Sequence, residues 1–263
     1  MQLFSIKLPI IKKNDPLIDI IISELKRKDT LHEKDIIVIS EKVVATSQGR
    51  VINLSEITEV SKEAKEMAIN YEMDERYVQL ILRESDHLLG GLPHGHVILA
   101  QVGEILIANA GIDQSNSGGP NRVVLLPENL KQVAWDYWER LTSEFNLNDL
   151  GIIIADSRVQ PLRKGTIGIA LAMAGFEPIE DLRGKPDLFG RPLEITLRAI
   201  ADDLTSAAQF LLNEANQQTP VVIIRNAPNI TFTAEPTTNP YMAPEECLYM
   251  NIFSRYLLQK ERT

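Results

Sequence analysis

The sequence predicts a mixed α/β protein in which a mixed central sheet is flanked by helices. Short, continuous apolar runs, typical of strands buried on both faces, occur at 36–40, 105–108, 151–155 and 221–225. Between these runs lie segments whose apolar residues recur at helical spacing. Strands and helices do not follow a strict βαβ repeat, so we expect a mixed sheet rather than a wholly parallel one.

Composition places the chain among ordinary globular proteins. It has 263 residues, of which 44% are hydrophobic and 24% charged, enough to bury a substantial core. We expect residues 1–228 to form the main α/β domain, with room for a division into two sub-domains. Residues 229–263 are expected to form a C-terminal extension that ends in a helix.

Charge and cysteine content restrict the partners and the location. The 36 acidic residues outnumber 27 Lys and Arg, and this argues against nucleic acid or an anionic membrane as the main partner. The single cysteine, Cys247, excludes an internal disulfide and fits a reducing compartment. No signal peptide and no apolar run near the ~20 residues of a membrane helix is evident. We therefore expect a soluble, cytoplasmic protein with small-molecule partners.

The first half of the chain is predicted to contain a strand at 2–8 and helices at 15–28, 61–70 and 74–83. Asp15, followed by Pro16, is a typical N-cap and first-turn pair for the first of these helices. The strand at 36–40 leads directly into a polar segment, 41–50, that contains a glycine near its end. A tight turn is expected at 102–104, between two strands.

The second half is predicted to contain helices at 128–145, 193–211 and 245–260. The stretch 165–176 (GTIGIALAMAGF) has side chains too small for an ordinary surface helix. Residues 181–191 read as a charged loop, and the Pro-, Thr- and Asn-rich segment 227–244 is expected to run over the surface.

Three of the predicted buried strands end in polar clusters, at 40–42, 109–116 and 156–158. Strand ends that face one crevice are where open α/β sheets bind ligands. Asp113 and Asp156 are the carboxylates that we pair as metal ligands, because oxygen-rich clusters suit a hard cation and its phosphate ligand. The alternative is that each aspartate only caps a turn, since Asn, Asp, Ser and Gly are also the commonest turn formers.

Basic residues and glycines follow the third cluster, and each has two interpretations. The basic side chains would bind phosphate or carboxylate groups, or would form a solvated loop; they are Arg158, Arg163, Lys164, Arg183, Lys185 and Arg191. The glycines would let the backbone approach a ligand, or would allow close packing of a helix; they are Gly165, Gly168 and Gly175.

Two histidines, His94 and His96, are expected on one face of a strand. No further His or Cys lies near them in the sequence to complete a zinc site, so we interpret them as substrate-side or structural residues. The phosphate loop GxxxxGK[ST], the GxGxxG fingerprint, the GxSxG elbow and the CxxC pair are all absent from the sequence. Any nucleotide would therefore be bound by an uncommon fold.

Several stretches together resemble the coenzyme F-420 gamma-glutamyl ligases, which add glutamate to the tail of a deazaflavin cofactor with GTP. They are, in the order of the family, DIIVISEKVVATSQGRV, HGHVILAQ with ANAGIDQSN, LLPEN, IIIADSRVQPLRKGTIGIA and DLRGKPDLFGRPLEIT. The resemblance covers residues 1–226. It implies the F-420 ligase-like fold, a homodimer, GTP as co-substrate and two Mg²⁺ or Mn²⁺ ions per site.

The resemblance also assigns roles to individual residues. Asp113 and Asp156 would be catalytic metal ligands, and Ser157 would be a further oxygen ligand where the family has threonine. Residues at nucleotide-contacting positions are Leu8, Pro9, Ile10, Ile11, Glu41, Lys42, Thr46, Asn116, Leu212, Asn213, Glu214, Ala215, Asn216, Gln217, Gln218 and Thr219.

The chain departs from the family pattern at three further positions. Thr46 stands where the family has a phosphate-binding lysine, Gln160 where it has an arginine, and Leu162 where it has an aromatic residue. Arg158 is a candidate replacement for the lost phosphate ligand.

The expected activity is a nucleotide- and metal-dependent amide ligase that joins L-glutamate to a carboxylate through an acyl phosphate. The departures leave two alternatives open. One is a non-catalytic homologue that binds metal and nucleotide, and the other is a ligase for a different acceptor, such as a folate-like or peptide carboxylate.

Overall fold

The computed structural model describes residues 1–28, 31–213 and 216–252. These residues form twelve strands: β1 (Gln2–Ile6), β2 (Ile36–Ser40), β3 (Val51–Asn53), β4 (His87–Leu92), β5 (Val97–Val102), β6 (Ile105–Ala108), β7 (Arg122–Val124), β8 (Gly151–Val159), β9 (Thr166–Ala174), β10 (Ile179–Asp181), β11 (Leu197–Ala199) and β12 (Val221–Arg225). They also form six α-helices: α1 (Leu17–Lys28), α2 (Glu41–Ser47), α3 (Lys62–Tyr71), α4 (Glu75–Glu84), α5 (Leu130–Phe145) and α6 (Ile200–Leu212).

The chain divides into two compact units. The first unit comprises Met1–Arg50 and Pro127–Pro240. The second unit comprises Val51–Leu126 together with the described residues from Tyr241 onward. A long insertion between α2 and α5 thus forms most of the second unit.

A five-stranded sheet in the order β1-β12-β2-β8-β9 forms the centre of the first unit. Only the β2–β8 pair is parallel, and the other three pairs are antiparallel. The prediction of a mixed sheet flanked by helices is confirmed. The apolar runs that predicted buried strands are buried, since all residues of β2 and β12 except the last of each have almost no exposed surface.

Helices cover both faces of this sheet, because its strands are apolar on both sides. Ile37, Ile152 and Ile223 face the cluster that contains the buried residues of α1 and α5. Ile36 and Ile153 belong to the cluster on the other face, which contains the buried residues of α6. Each fully buried isoleucine contributes about 1.5–3 kcal/mol of transfer free energy, so this three-layer core is the main source of stability in the first unit.

Two glycines in and after β9 are required by packing. A Cβ on Gly168 would lie 2.6 Å from the backbone oxygen of Thr205 in α6. A Cβ on Gly175 would lie 2.0 Å from the carbonyl oxygen of Leu150, which also accepts a hydrogen bond from the Trp138 indole at 2.9 Å. For these two positions the packing interpretation explains the glycine.

The second unit contains the antiparallel sheet β4-β5-β6, the β3–β7 pair and helices α3 and α4. Its core is a separate apolar cluster that includes Tyr77, Val78 and Ile81 of α4 with Ile98 of β5. The predicted turn at 102–104 is confirmed, because Val102 pairs with Ile105 across the β5–β6 hairpin.

The structure assigns two segments whose type the sequence left open and corrects one predicted helix. The segment after β2 forms α2, which begins because the Ser40 hydroxyl accepts the Lys42 N–H. The small-residue stretch forms β9, in agreement with the expectation that it is no ordinary surface helix. The helix predicted from residue 193 begins at Ile200, since residues 197–199 pair with β10 as β11.

The strand placement of the two histidines is also wrong. His94 and His96 lie in the turn between β4 and β5 with φ of 60° and 54°. The Nδ1 atom of His94 contacts Glu72 Oε1, and that of His96 contacts the Glu72 carbonyl oxygen, each at 2.6 Å. They have a structural role there, one of the two roles that we considered.

The C-terminal helix and the membrane-spanning potential of the helices are the two remaining expectations. The predicted helix 245–260 begins late, since residues 245–247 are not helical and residues 248–252 are, and residues 253–260 lie outside the described part of the chain. Among the helices that the structure describes, none has the length and apolarity needed to cross a membrane.

Candidate functional site

The topology of the first unit brings several predicted site segments to one edge of its sheet. The parallel register pairs Ser40 with Ala155, so Glu41 and Asp156 follow at neighbouring positions. β1 ends and β12 begins at the same edge, because Ile6 pairs with Val221 and Val221 with Ile39. We call this edge, with residues 8–11, 40–42, 156–157 and 216–219, the site edge.

Backbone hydrogen bonds join the segments at the site edge. The Leu8 N–H donates to the Gln218 carbonyl oxygen at 3.2 Å, and the Ser40 N–H donates to that of Pro220 at 2.9 Å. The Thr219 hydroxyl donates to the Leu211 carbonyl oxygen at 2.7 Å. Two of the segments that the resemblance assigns to the nucleotide, 8–11 and 212–219, thus lie side by side.

The side chains of these segments differ in exposure. Leu8 and Ile11 are buried in the core and present little surface to a ligand. Pro9 and Ile10 are exposed, as are Asn213, Asn216, Gln217 and Gln218, while Leu212 and Thr219 are half-buried. Glu214 and Ala215 lie outside the described residues.

Glu41 and Asp156 form a carboxylate pair at the site edge. Glu41 is the first residue of α2, and its Oε2 accepts a hydrogen bond from the Ser40 hydroxyl at 3.2 Å. Burial raises the pKa of Glu41 well above its usual value, and the charge of Asp156 raises it further. Lys42 acts in the opposite direction but does not compensate. The two carboxylates therefore repel one another.

Asp156 and Ser157 lie on β8 just after an irregularity in its pairing. The register between β8 and β9 shifts between Ile154 and Ala155, after which Ser157 pairs with Gly168. The Ser157 N–H donates to Asp156 Oδ1 at 2.6 Å. Since β-bulges re-aim the side chains beside them, the shift sets the direction of both residues.

Helix α6 supports this hairpin from the side of β9. The Asp202 carboxylate accepts the Ala170 N–H at 2.9 Å, and the Ser206 hydroxyl donates to the Gly168 carbonyl oxygen at 3.0 Å. Burial raises the pKa of Asp202, while the Ala170 hydrogen bond and the nearby charge of Arg158 partly offset that effect. Arg158 is thus held in the field of Asp202.

Lys42 and Thr46 lie one turn apart on α2. The Thr46 hydroxyl donates to the Lys42 carbonyl oxygen at 2.7 Å, so it satisfies its own helix. Thr46 therefore supplies neither the charge nor the reach of the lysine that the resemblance implies at this position.

Asp113 lies in the second unit, where its backbone is fixed against β7. Its N–H donates to the Val124 carbonyl oxygen at 2.9 Å and its own carbonyl accepts the Val124 N–H at 2.8 Å. Its carboxylate accepts the Ser115 N–H at 2.7 Å and the Ser115 hydroxyl at 2.8 Å. These contacts are those of an Asx turn, the second of the two interpretations of this aspartate.

The neighbours of Asp113 divide into structural and unassigned residues. Asn109 Oδ1 accepts the Ile98 N–H at 2.9 Å. The Ser117 hydroxyl is buried and lies 2.7 Å from the Arg122 carbonyl oxygen. Both side chains therefore make hydrogen bonds to the backbone of their own unit. Asn116 is exposed and has a φ of 54°, and its nucleotide contact stays a prediction.

The basic residues after Asp156 are partly neutralised by carboxylates. Arg183 makes a two-point ion pair with Asp181, with a shortest N–O distance of 2.6 Å, and holds the pKa of that aspartate at about 2. Lys185 contacts Glu180 at 3.1 Å, and Arg191 lies 3.8 Å from Glu194. These three contacts favour the solvated-loop interpretation for the region around β10 and β11.

The carboxylate pair at the site edge is suited to a hard divalent cation. Within the described ranges, no group of three or more His, Cys, Asp or Glu side chains is arranged to hold a metal ion. The Glu41–Asp156 pair nevertheless supplies two carboxylates whose mutual repulsion a cation would relieve, and Mg²⁺ typically takes few protein ligands together with substrate phosphates. Asp113 belongs to the second unit and is not a member of this pair.

Sequence comparison identifies the group to which this arrangement belongs. The profile of the F420-0:Gamma-glutamyl ligase family matches residues 5–226. The chain is a member of this family.

Related proteins support the membership over most of the chain. A coenzyme F420:L-glutamate ligase of Methanopyrus kandleri is 38% identical over 195 residues, which are 74% of this chain and 76% of that protein. The ligase of the same name from Methanococcus maripaludis strain C7 is 36% identical and covers 87% of this chain and 89% of its own. That of Methanothermobacter thermautotrophicus is 34% identical over 91% and 94%.

Proposed function

We propose that this protein is a nucleotide- and divalent-metal-dependent amide ligase that joins L-glutamate to a carboxylate acceptor. The observation that carries the proposal is the site edge, where the half-buried carboxylates of Glu41 and Asp156 lie beside two segments that expose Pro9, Ile10 and residues 216–218. Its membership of a family whose named relatives are coenzyme F420:L-glutamate ligases makes a deazaflavin precursor the preferred acceptor.

The proposed reaction has two balanced steps. The acceptor carboxylate attacks the terminal phosphorus of GTP, forming a C–O–P linkage as the bond to the GDP oxygen breaks. The glutamate amine then attacks the acyl carbon, a C–N bond forms, phosphate leaves and the amine loses a proton. No covalent enzyme intermediate is needed, so the protein acts by positioning and by electrostatic stabilisation.

Each group at the site edge has a proposed role. Asp113, Asp156 and Ser157 are the proposed ligands of Mg²⁺ or Mn²⁺, and a bound ion would neutralise the charge of the reacting phosphates. Glu41 and Lys42 contact the nucleotide at the start of α2, where backbone N–H groups also favour phosphate. Segments 8–11 and 216–219 are proposed to bind the rest of the nucleotide, and Asn116 is a further proposed nucleotide contact.

Arg158 is proposed to supply the phosphate contact that Gln160 lacks. Its positive charge is close enough to Asp202 to offset part of the rise in the pKa of that carboxyl, and its planar guanidinium suits phosphate. A charge-assisted hydrogen bond to phosphate is worth about 1.5–3 kcal/mol, enough to compensate for one lost contact.

We also propose that the protein is a cytoplasmic homodimer. Large apolar side chains are exposed on the arm formed by β10, β11 and their connecting loop. Leu188 and Phe189 are 92% and 91% exposed, and Ile195 is 87% exposed. Exposed apolar groups that cluster in this way commonly mark an interface.

The first experiment measures GDP and phosphate release from GTP with L-glutamate, a deazaflavin precursor and Mn²⁺. We expect turnover that requires all four components. Asp156→Asn and Asp113→Asn should each lower kcat by more than about 100-fold, since even groups that only orient metal ligands are worth about 10–100-fold. Asp19→Asn, which changes an exposed carboxylate on α1 that pairs with Arg140 at 3.0 Å, is the matched control.

The outcomes separate this proposal from its alternatives. Full activity of Asp156→Asn would contradict the assignment of the site. Binding of nucleotide and Mn²⁺ without turnover would identify a non-catalytic homologue, the alternative favoured by Thr46, whose hydroxyl is committed to its own helix. Turnover with a folate-like or peptide carboxylate in place of the deazaflavin would keep the reaction and change the acceptor, and replacing GTP by ATP tests the nucleotide.

A further inference from the structure

The segment that leads to Asp113 has an unusual backbone. Asn109, Ala110 and Gly111 follow β6 directly and have φ of 52°, 53° and 72°. Non-glycine residues seldom adopt this left-handed region, and a run of three needs support from its surroundings. Gly111 has a second requirement, because a Cβ there would lie 2.4 Å from Leu126 Cγ.

A buried tyrosine of α4 supports this segment. The Tyr77 hydroxyl donates to the Ile112 carbonyl oxygen at 2.5 Å, and both residues are almost fully buried. The Asn109 side chain hydrogen-bonds the same hydroxyl, while its Oδ1 accepts the Ile98 N–H at 2.9 Å. Tyr77 therefore connects the first residue of the left-handed run with the residue that follows it.

These contacts fix the backbone immediately before Asp113. Ile112 is held through its carbonyl by Tyr77, and Asp113 is held through both backbone groups by Val124. The backbone that carries Asp113 is thus held in part by a hydroxyl group that lies 35 residues before Ile112 in the chain.

The environment of the Tyr77 hydroxyl favours its role as a hydrogen-bond donor. Burial raises its pKa far above the usual value for tyrosine, and the negative charge of Asp113 raises it further. The raised pKa favours the protonated hydroxyl, which is the form that donates to Ile112.

We propose that Tyr77 is a positioning residue that sets the geometry of Asp113 for divalent-metal binding. This inference rests on the proposed function, in which Asp113 is a metal ligand. Tyr77 acts through the Ile112 peptide and touches neither metal nor substrate. Removal of its hydroxyl leaves the buried Ile112 carbonyl without this partner, and the loop relaxes.

The test is a titration of the full-length, metal-free protein with Mn²⁺ alone, with free Mn²⁺ measured by electron paramagnetic resonance. We expect Tyr77→Phe to weaken Mn²⁺ binding by about tenfold, the effect typical of groups that orient metal ligands. Tyr71→Phe is the matched control in the same unit, since the Tyr71 hydroxyl makes no hydrogen bond among the described residues. An unchanged Mn²⁺ affinity in Tyr77→Phe would overturn the inference.

A double-mutant cycle with Asp113→Asn shows whether Tyr77 acts through Asp113. We expect Tyr77→Phe to have no further effect on Mn²⁺ affinity in the Asp113→Asn background. An equal tenfold loss in both backgrounds would contradict the inference. If Asp113→Asn itself binds Mn²⁺ like the wild type, the metal assignment fails, and this result is distinct from failure of Tyr77 alone.

Amide hydrogen exchange of the metal-free protein provides a readout that does not depend on metal. Peptides that span residues 109–113 should exchange faster in Tyr77→Phe and not in Tyr71→Phe. Asn109→Gly, which keeps a residue compatible with the left-handed backbone, should give the same local change from the other end of the contact. Unchanged exchange of this segment in both variants would refute the positioning role.

Discussion

At the scale of single residues, the most consequential contact outside the site edge is a buried ion pair. Asp35 has no exposed surface, and Arg225 bonds both of its oxygens, at 2.8 Å and 2.6 Å. The hydrogen bond to Asp35 raises the pKa of Arg225, and its guanidinium also lies 5.2 Å from the ring centre of Phe4. The pair joins the start of β2 to the end of β12, opposite the site edge.

Breaking this pair should destabilise the protein strongly. Arg225→Ala leaves a buried carboxylate without its counter-charge, and we expect the free energy of unfolding to fall by about 3–5 kcal/mol. Urea denaturation measures the change. Arg27→Ala removes an exposed arginine that pairs with Glu24, and it should cost less than about 1 kcal/mol. Equal effects of the two substitutions would show that the Asp35 pair is not buried in solution.

At the scale of elements, the carboxylate of Glu177 fixes the surface segment 227–244 at one point. Glu177 lies after β9, and its two oxygens accept hydrogen bonds from the N–H and hydroxyl groups of Thr237 and Thr238, at distances from 2.6 to 3.0 Å. Burial by itself would raise the pKa of Glu177, but these hydrogen bonds outweigh it and leave the pKa below its usual value. The segment that the sequence predicted to run over the surface is therefore tied down at this point.

The lowered pKa of Glu177 predicts a dependence of stability on pH. A carboxyl group with a depressed pKa in the folded state contributes its full stability above its unfolded pKa, near 4.5. That stability is lost as the pH falls through the lower folded value. We expect Glu177→Gln to lower the melting temperature at pH 7, and the difference from wild type to shrink below pH 4.5, as measured by calorimetry from pH 3 to 7. Glu139→Gln, on the exposed side of α5, is the control. A difference that stays constant over this range would contradict the role of the charged carboxylate.

At the scale of the whole molecule, the arm formed by β10, β11 and their connecting loop exposes large apolar side chains to solvent. A single chain gives no reason for this exposure. Asp187 orders its tip by accepting the N–H groups of Phe189 and Arg191 at 2.8 Å and 2.9 Å. An ordered turn thus presents Leu188 and Phe189 to solvent. Two large apolar groups on an ordered protrusion are consistent with the proposed homodimer.

Sedimentation equilibrium tests this assembly. We expect wild-type protein to have twice the chain mass of 29.5 kDa. Phe189→Asp should shift the equilibrium to monomer, because it places a charge in the proposed apolar interface. Ile69→Asp changes a similarly exposed apolar residue, 79% exposed on α3, and should leave the dimer intact. A wild-type mass of one chain at the concentrations used for activity would contradict the proposal.

The local pattern of the sequence was sufficient for three strands of the central sheet, β2, β8 and β12. The runs at β2, β8 and β12 are continuous and apolar, and such runs are stable only as strands covered on both faces. Helices α1, α3, α4 and α5 were predicted within two residues at each end, because their apolar stripes follow the helical period. The resemblance to the gamma-glutamyl ligases also rested on sequence alone, and the family profile confirms it.

Other features depended on contacts between segments far apart in the chain. The stretch that became β9 has side chains too small to reveal a period, and its strand form follows from pairing with β8 and from the approach of α6 to Gly168. The histidines of the β4–β5 turn have left-handed backbones, which no alternation pattern reveals. Tyr77 gave no signal in the sequence, since only the fold brings α4 to the Ile112 carbonyl.

For the candidate site, the sequence indicates the residues and the tertiary structure determines their arrangement. Sequence by itself determined which residue types were available, because the polar clusters after apolar strands and the family stretches select Glu41, Asp113, Asp156 and Ser157. Only the tertiary structure decided that Glu41 adjoins Asp156, since their neighbourhood comes from the parallel register of β2 and β8. It also decided that Asn109 and Ser117 serve their own loop. Strand pairing and burial are long-range events, and they set the distance and the charge state of groups that the sequence can only name.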